Sequence, residues 1–334
     1  MDCIPQGSFN YDFIDGIQAL ISMAFVNCTP QLILTLTCMS ELLKNHIKLH
    51  FVVFIYGFTA ILGKLITLPA AEMVWYRMLI AFGALGLFLK YRKRSIAYPP
   101  RAIWQMLGVG LVVAFHWITF FHAVKISNVS VTLGCLASTT LFTSILEPII
   151  VKRRIIWVEV VIGLIIILGL YLIFQFEFRY KWGIITALTS AFLAGLFTVL
   201  NKTFITKFNP VAISFYEMGA GFAGITLFLL LSGRFSSGFV APVPMDWLWL
   251  LILGIVCTAY AYMVSIDVMK VLSAYSVVLT INMEPVYGIV MAYFIFKDSE
   301  YMSAGFYIGT AVILSAVILY PFILRKLNRR VQVV

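Results

Sequence analysis

Apolar stretches of about 20 residues recur along this chain of 334 residues, and they constrain its fold more than any other feature. Each is long enough to cross the ~30 Å hydrocarbon layer of a bilayer as a helix. A continuous apolar stretch satisfies its backbone in lipid only as a helix, since barrel strands would alternate in polarity. The sequence therefore predicts an all-α integral membrane protein with ten spans, at 51–68, 71–89, 104–124, 129–151, 156–176, 182–201, 211–232, 247–269, 273–296 and 303–322.

Composition and charge support the same fold class. The chain is 62% hydrophobic and 11% charged, with a mean hydropathy of +1.00, whereas a soluble domain carries about 25% charged residues. The net charge of +10 could suggest a nucleic-acid partner, but the basic residues fall in short loops between the spans. A topological role explains this placement, and we expect no nucleic-acid partner.

The basic residues also predict the orientation. If the chain before residue 51 is cytoplasmic, 17 Lys and Arg lie on that side. They are Lys44, Lys48, Lys90, Arg92, Lys93, Arg94, Arg101, Lys152, Arg153, Arg154, Lys202, Lys207, Lys270, Arg325, Lys326, Arg329 and Arg330. Only five, Lys125, Arg179, Lys181, Arg234 and Lys297, lie opposite. The positive-inside rule then predicts cytoplasmic flanks on both sides of the ten-span block, in a bacterial inner (plasma) membrane.

The first 38 residues differ from the rest. Their marginal apolar stretch contains Asn27, Pro30 and Gln31 and follows three aspartates without a basic residue, unlike a secretory signal. They are either an eleventh span or a dispensable extension before a natural start at Met39, and we favour the extension. The predicted organisation is an extension and cytoplasmic start at 1–46, halves at 47–177 and 178–324, and a basic tail at 325–334.

The two halves are related by an internal repeat. Residues 63–82 can be aligned with 201–222, which places Lys64 over Lys202 and Arg77 over Glu217. Further along, an offset of 145 matches Lys125 to Lys270. Each half holds five spans, and because five is odd the halves have opposite orientations. This is the inverted-repeat plan of many secondary transporters.

A Glu-Pro pair interrupts the ninth span, and Glu284 lies near its middle. Pro285 lacks a backbone N–H and its ring crowds the carbonyl of Ile281, so we expect a bend there. In the first half the equivalent residues are Thr139 and Thr140, so two equivalent carboxylate sites are not expected. A second Glu-Pro, at Glu147, lies near the cytoplasmic end of the fourth span, where the carboxylate could simply reach the interface.

Helical periodicity places several polar residues on common faces. They are Ser276, Thr280, Glu284 and Gly288 in the ninth span; Thr132, Cys135, Thr139, Thr143 and Glu147 in the fourth; and Thr258, Tyr262 and Ser265 in the eighth. In lipid-spanning helices such faces must meet protein or water. For the hydroxyl residues interhelical hydrogen bonding is favoured, whereas Glu284 is expected to act as a proton or cation site.

Charged residues in the outer thirds of two spans raise a second possibility. Lys64 and Arg77 lie at similar predicted depths and could share a site. Arg77 could pair with Glu72 or Glu284, or bind an anionic group of a substrate. Glu217 is expected near the cytoplasmic side, in an ion pair or a gate contact. His116 and His122 lie on different faces of the third span, so at most one lines a cavity.

The whole pattern resembles the EamA-type transporters of the drug/metabolite transporter superfamily. The resemblance covers about residues 47–324 and rests on two five-span halves, MVWYRMLIAF in the second span, Glu-Pro in the ninth and AGFYIGTAVILSAVIL in the tenth. It implies secondary transport, often efflux, of amino acids or other small metabolites by alternating access through a central cavity. Its partners would be a small-molecule substrate, a coupling proton or cation, and the lipid bilayer.

Other functional classes fit less well. An enzyme would need a convergent nucleophile or acid–base pair, and no metal-ligand spacing, cofactor motif or P-loop appears. A channel or lipid-scrambling protein is the main alternative to a carrier. The candidate pathway residues are Glu284, Arg77, Lys64, Glu217, Thr139, Thr143, Thr280, Tyr262 and His116, with the helix break at Pro285.

Overall fold

The computed structural model describes residues 30–94, 96–152, 154 and 156–331. The predictions for residues 1–29, for Arg153 and for the last three residues of the basic tail fall outside this range. The chain divides into two units, residues 1–48 and 49–334. In the described part of the first unit, which is helical, Lys44 Nζ lies 2.9 Å from Glu41 Oε1.

The described chain is built from helices. They are α1 (Pro30–Leu65), α2 (Ala70–Tyr91), α3 (Pro100–Ile126), α4 (Val129–Leu136), α5 (Thr139–Val151), α6 (Trp157–Phe176), α7 (Lys181–Ile205), α8 (Pro210–Leu231), α9 (Arg234–Ser237), α10 (Pro244–Leu251), α11 (Ala261–Asp267), α12 (Ala274–Ile281), α13 (Glu284–Phe296) and α14 (Ala304–Val331). A π-helical segment, Ile252–Tyr260, joins α10 to α11, and short 3-10 turns follow α6, α11 and α13.

Nine helical segments of the described chain are long and apolar enough to cross a membrane, and a shorter apolar stretch, Ala304–Ala316, occupies the tenth position. The nine are Glu41–Leu65, Ala70–Tyr91, Pro100–Ile126, Val129–Val151, Trp157–Phe176, Phe178–Ile205, Pro210–Leu231, Pro244–Lys270 and Ala274–Phe296. Each predicted span overlaps one of these segments, and the predicted all-α membrane fold is confirmed. We call the side where α1 ends and α2 begins face I, and the side where α2 ends and α3 begins face II.

The fourth and ninth spans are both interrupted at the same position of the repeat. α4 ends at Leu136 and α5 begins at Thr139, while α12 ends at Ile281 and α13 begins at Glu284. Each boundary in the second half lies 145 residues after its counterpart in the first half, which is the offset that the sequence alignment predicts. The helix starts match as well, because Asn128 Oδ1 accepts from a backbone N–H of α4 and the equivalent Ser273 Oγ does so in α12.

The two interruptions have different chemical causes. Pro285 is the second residue of α13, where its missing N–H is tolerated in a first helical turn but could not continue α12. The first half has no proline at this point. Instead, Ser138 Oγ donates to the Cys135 carbonyl and Thr139 Oγ1 donates to the Leu136 carbonyl, each with a donor–acceptor distance of 2.7 Å. Hydroxyl side chains there compete with the backbone for its own acceptors.

Glycines allow close crossings between the halves. A Cβ on Gly169 of α6 would lie 2.8 Å from the carbonyl oxygen of Gly309 on α14, and a Cβ on Gly309 would lie 2.7 Å from that of Gly169. The fifth and tenth spans therefore pack backbone against backbone, which small residues permit in membrane proteins. Gly110 of α3 gives the same close approach to α8, because a Cβ there would lie 2.4 Å from the carbonyl oxygen of Glu217.

Candidate functional site

A cavity of about 90 Å³ lies in the second unit, between helices of both halves, with a mostly apolar lining that carries several polar side chains. This volume is enough for several water molecules. Its polar lining includes Arg77, His116, Thr139, Asn201, Tyr262 and Glu284, and aromatic rings of Tyr56, Trp117, Phe120 and Phe197 complete the wall. Five of the nine predicted pathway residues thus lie around one cavity, together with Pro285 at the helix break.

Arg77 is held rigidly at the cavity. Its side chain is 1% exposed, its Nε donates to Thr258 Oγ1 over 2.5 Å, and its guanidinium carbon lies 3.8 Å from the centre of the Trp117 ring. Among the described residues Nη1 has no hydrogen-bond partner. A stacked and partly bonded guanidinium with a free donor is suited to binding a carboxylate.

The π-helical segment explains the position of Thr258. Its hydroxyl donates over 2.7 Å to the carbonyl of Leu253, five residues earlier, while accepting the bond from Arg77. Single turns of π-helix often occur at functional sites because they re-aim one side chain. Sequence periodicity places Thr258 on a polar face but gives no signal for the π-helical turn.

Glu284 begins α13 at the wall of the same cavity and is 6% exposed. In the described part of the chain, no basic nitrogen lies within 4.0 Å of its carboxylate. The predicted pairing with Arg77 is therefore not a direct ion pair, although Arg77 acts on Glu284 electrostatically. Glu72, the other predicted partner of Arg77, instead receives a bond from Arg234 Nη1 over 2.9 Å.

The two helix interruptions meet beside the cavity. The Asn282 side-chain amide donates to Thr140 Oγ1, which joins the turn before α13 to the start of α5. Thr139, the counterpart of Glu284, lines the cavity. Each half thus contributes the N-terminal end of a broken helix, a polar feature in an otherwise apolar interior.

Glu217 lies behind the wall rather than in it. Its Oε2 accepts from the Tyr262 hydroxyl over 2.7 Å and from Asn201 Nδ2 over 3.4 Å, and both donors line the cavity. The expected ion pair is absent among the described residues, where no basic nitrogen lies within 4.0 Å. Neutral donors on α7 and α11 occupy the place of a cation, and the alternative expectation for Glu217, a gate contact, stays a prediction.

His116 of α3 lines the cavity and is held there by Ser190 of α7. Its Nδ1 lies 2.9 Å from both the hydroxyl and the carbonyl of Ser190, and its ring packs near Phe120 and Phe197. His122 is exposed on another face. At most one of the two histidines was expected at a cavity, and His116 is that one.

Besides Glu217, three predicted pathway residues lie outside the cavity lining: Lys64, Thr143 and Thr280. Thr280 Oγ1 donates to the carbonyl of Ser276 in its own helix, and Thr143 is buried against Gly195 of α7. In the ninth span the cavity is lined by Val277, Val278, Ile281, Asn282, Glu284 and Pro285, so the lining face includes Glu284 but is rotated away from Thr280.

Lys64 belongs to a separate network at face I. Its Nζ lies 2.7 Å from Glu300 Oε1 and 4.3 Å from the centre of the Phe296 ring. Glu300 also accepts from the backbone N–H groups of Val129 and Ser130 at the start of α4. Arg77 makes none of these contacts, so the shared site proposed for Lys64 and Arg77 is not formed.

Sequence reasoning missed several residues of the site. Asn201 and Asn282 line the cavity, and each is the kind of uncharged amide that is costly to leave unpaired in lipid. Searching the spans for amides as well as charges would have found both. Glu300 lies in the 3-10 turn after α13, and Asp246 lies in the first turn of α10 and accepts from the backbone N–H and the hydroxyl of Thr67. Both lie just outside the predicted spans, which the search for span residues did not cover.

These features define a membrane transporter: a helical membrane protein with two oppositely oriented halves around a buried polar cavity. The EamA-like transporter family model matches this chain twice, at residues 46–175 and 181–321, so one match falls in each half. The chain belongs to the EamA-like transporter family, within the drug/metabolite transporter superfamily.

Relatives and solved structures agree. The chain is 26% identical over 242 residues to an uncharacterized transporter of Archaeoglobus fulgidus, covering 71% of this chain and 82% of the relative. It is 21% identical over 253 residues to the uncharacterized transporter YxxF of Bacillus subtilis, covering 73% and 79%. A solved crystal structure is similar in fold, with a TM-score of 0.63 and 17% identity over 84% of this chain and 98% of that one.

Proposed function

We propose that this protein is a secondary transporter that exports small zwitterionic metabolites, of the amino-acid class or related to it, by alternating access. The observation that carries the proposal is the presence of Arg77 and Glu284 in one buried cavity without a direct ion pair between them. A carboxylate could bind the free Arg77 donor while an ammonium group binds Glu284. The aromatic wall would cover the apolar part of such a molecule.

The proposal includes a topology. Residues 47–177 and 178–324 are the two inverted repeats, and face II is the cytoplasmic side of a bacterial inner membrane. Support comes from the basic loop residues, which cluster between the spans that end at face II. Residues 1–46 and 325–334 then flank the transport unit in the cytoplasm, and residues 1–38 are a dispensable extension.

Glu284 is also the proposed coupling site. A carboxylate beside a helix break, away from bulk water, gains or loses a proton or binds a cation in step with substrate. The interruption in the first half, at Ala137–Ser138, is followed by Thr139 and Thr140, where the second half has Glu284 and Pro285. The two halves therefore contribute unequally, with one titratable break and one neutral break.

Counterflow in proteoliposomes tests the function. Vesicles containing purified protein and a high internal concentration of one unlabelled amino acid are mixed with trace labelled amino acid, over a panel of side chains. A carrier gives saturable, transient accumulation for some members, and their N-acetylated forms, which lack the ammonium, fail to compete. Flux that does not saturate would indicate a channel, and exchange of labelled lipid between leaflets a scramblase; either outcome would overturn the proposal.

A further inference from the structure

A buried carboxylate with one satisfied oxygen and one unsatisfied oxygen lies behind the cavity wall. Glu217 on α8 is 0% exposed. Its Oε2 accepts from Tyr262 and Asn201, whereas its Oε1 has no hydrogen-bond partner in the part of the chain that the structure describes. Nothing in the proposed substrate site requires this arrangement.

The surroundings of Glu217 provide no compensating charge. α11 presents the Tyr262 hydroxyl and α7 presents the Asn201 amide to the carboxylate, while Gly110 of α3 lies against the backbone of Glu217. His116 of α3 is directed instead at a serine of α7. Across the described chain no lysine, arginine or histidine nitrogen comes within 4.0 Å of the carboxylate.

Arg77 and Lys202 are both engaged elsewhere. Arg77 donates to Thr258 and packs on Trp117, whose ring in turn contacts Tyr262 at 5.7 Å between ring centres. Lys202 donates to the carbonyls of Met269 and Leu272 over 2.5 and 2.8 Å. A buried ionised carboxylate without a cation is strongly destabilised, and a proton on Oε2, the oxygen that Tyr262 contacts, removes the charge.

We infer that Glu217 is a second proton-binding site, distinct from Glu284, and that Tyr262 transmits its protonation state to the cavity. The inference deepens the proposed function and rests on it for its role in transport. The ligand is a proton. Tyr262 is a positioning residue for this site, since its hydroxyl contacts Glu217 and its side chain lines the cavity.

The transmission follows from the donors and acceptors that the three residues possess. In the arrangement observed, the Tyr262 hydroxyl hydrogen is used by Glu217 and its oxygen accepts from Asn201 over 3.0 Å. A phenol has one hydrogen to donate, so toward the cavity Tyr262 offers only an acceptor. When Glu217 takes up a proton, its own O–H can donate to the Tyr262 oxygen.

Protonation therefore releases the Tyr262 hydrogen to rotate toward the cavity. One proton is added to the carboxylate, no bond within Tyr262 breaks, and the direction of one hydrogen bond reverses. A substrate with a carbonyl or carboxylate oxygen near Tyr262 then binds the protonated form more tightly. By linkage, the same substrate raises the affinity of Glu217 for its proton.

Infrared difference spectroscopy tests this without a transport substrate. Spectra of purified protein in lipid are compared at high and low pH. We expect acidification to add a carboxylic-acid carbonyl band. It should also shift the C–O stretching mode of a tyrosine, because the hydroxyl of that tyrosine no longer donates to a carboxylate. Glu217→Gln should remove the Glu217 contribution to the carbonyl band and abolish the tyrosine change, and Glu284→Gln, the matched control at the other buried carboxylate, should retain the tyrosine change.

Tyr262→Phe provides the second variant. It keeps the carboxylate, so the band of Glu217 should remain but shift in frequency, while the tyrosine change disappears. Persistence of the tyrosine change in Glu217→Gln or in Tyr262→Phe, or the same spectral change on adding sodium at constant pH, would each overturn the inference. If Glu217→Gln does not fold, Tyr262→Phe alone decides. If the wild-type protein shows these infrared signals but no counterflow, the proposed function is refuted and the proton site at Glu217 is retained.

Discussion

The guanidinium carbon of Arg77 lies 3.8 Å from the centre of the Trp117 ring. A planar cation stacked on an indole is held in orientation as well as in position, which a lysine ammonium on a flexible stem is not. With Nε bonded to Thr258, the remaining donors of Arg77 have a fixed direction before any substrate arrives. The first prediction follows from that fixed direction.

Arg77→Lys should keep the positive charge but lose the bond to Thr258 and the planar stack on Trp117. We expect substrate counterflow to fall by about tenfold to a hundredfold, because a charge-assisted bond of roughly 1.5–3 kcal/mol is lost. Arg234→Lys is the matched control, since that arginine lies at face I and is 49% exposed. Equal activity of the two variants would contradict a binding role for Arg77.

Glu284→Gln should insert and fold, because glutamine keeps the shape and the hydrogen bonding of the side chain. It cannot titrate, so counterflow should either lose its pH dependence or fall by about tenfold or more. The measurement is initial rate against pH in proteoliposomes of matched protein content. A wild-type rate with a wild-type pH profile would leave Glu284 as a structural residue only.

Glu300→Gln should destabilise the protein through the network at face I. The Glu300 carboxylate is fully buried and holds Lys64 as well as the start of α4. Glutamine loses the ion pair and one acceptor, for which we expect a cost of about 1–3 kcal/mol, seen as a lower Tm in detergent. Asp267→Asn is the control, because its pair with Lys270 is largely exposed and should contribute under about 1 kcal/mol. A similar loss of Tm in both variants would show that burial of the pair is unimportant.

Gly309→Ala should lower the Tm, because the new Cβ would lie 2.7 Å from the backbone oxygen of Gly169 and the helices must separate. Overpacking of this kind costs roughly 1–3 kcal/mol. The control is Gly108→Ala on α3, where nothing lies within 4 Å of the added Cβ. There alanine should be neutral or stabilising, since its helix propensity exceeds that of glycine. Unchanged stability of Gly309→Ala would mean that the crossing is looser than described.

Topology can be tested on a variant without its native cysteines. Single cysteines placed in the 91–101 loop and after residue 325 should react with impermeant thiol reagents only from the cytoplasmic side, as the basic loops predict. The comparison is between intact cells and inside-out vesicles. Labelling of both positions in intact cells would reverse the proposed orientation, and labelling on opposite sides would refute an even number of spans between them.

The spans, the repeat and the interruption at Glu284–Pro285 could be predicted from the sequence because each depends on local chemistry. Apolar length, an odd number of spans per half and a missing N–H are legible residue by residue. The interruption before Thr139 was not predicted, because serine and threonine hydroxyls break a helix only in some contexts. Sequence gives no means of distinguishing those contexts.

The cavity could be predicted only in part, because some of its residues stand out locally while others depend on contacts between distant parts of the chain. Arg77, Tyr262 and Glu284 are conspicuous in apolar spans, and the structure brings them together. Thr280 was selected because it lies four residues before Glu284, but the face of the ninth span that lines the cavity is centred on Val277, Ile281 and Glu284 and leaves Thr280 out. The contact between Arg77 and Thr258 depends on a π-helical turn and on a pairing across 181 residues, which one sequence does not reveal.

The crossing of Gly169 and Gly309 has a consequence for motion. Each glycine occupies the space that a side chain on the other would need, so the contact is the same when viewed from either half. Two helices in backbone contact cannot come closer, and they lose their closest packing if they separate. If the halves rearrange as in the proposed alternating access, α6 and α14 would therefore move together as one rigid pair, while the broken helices at the cavity take up the change in shape.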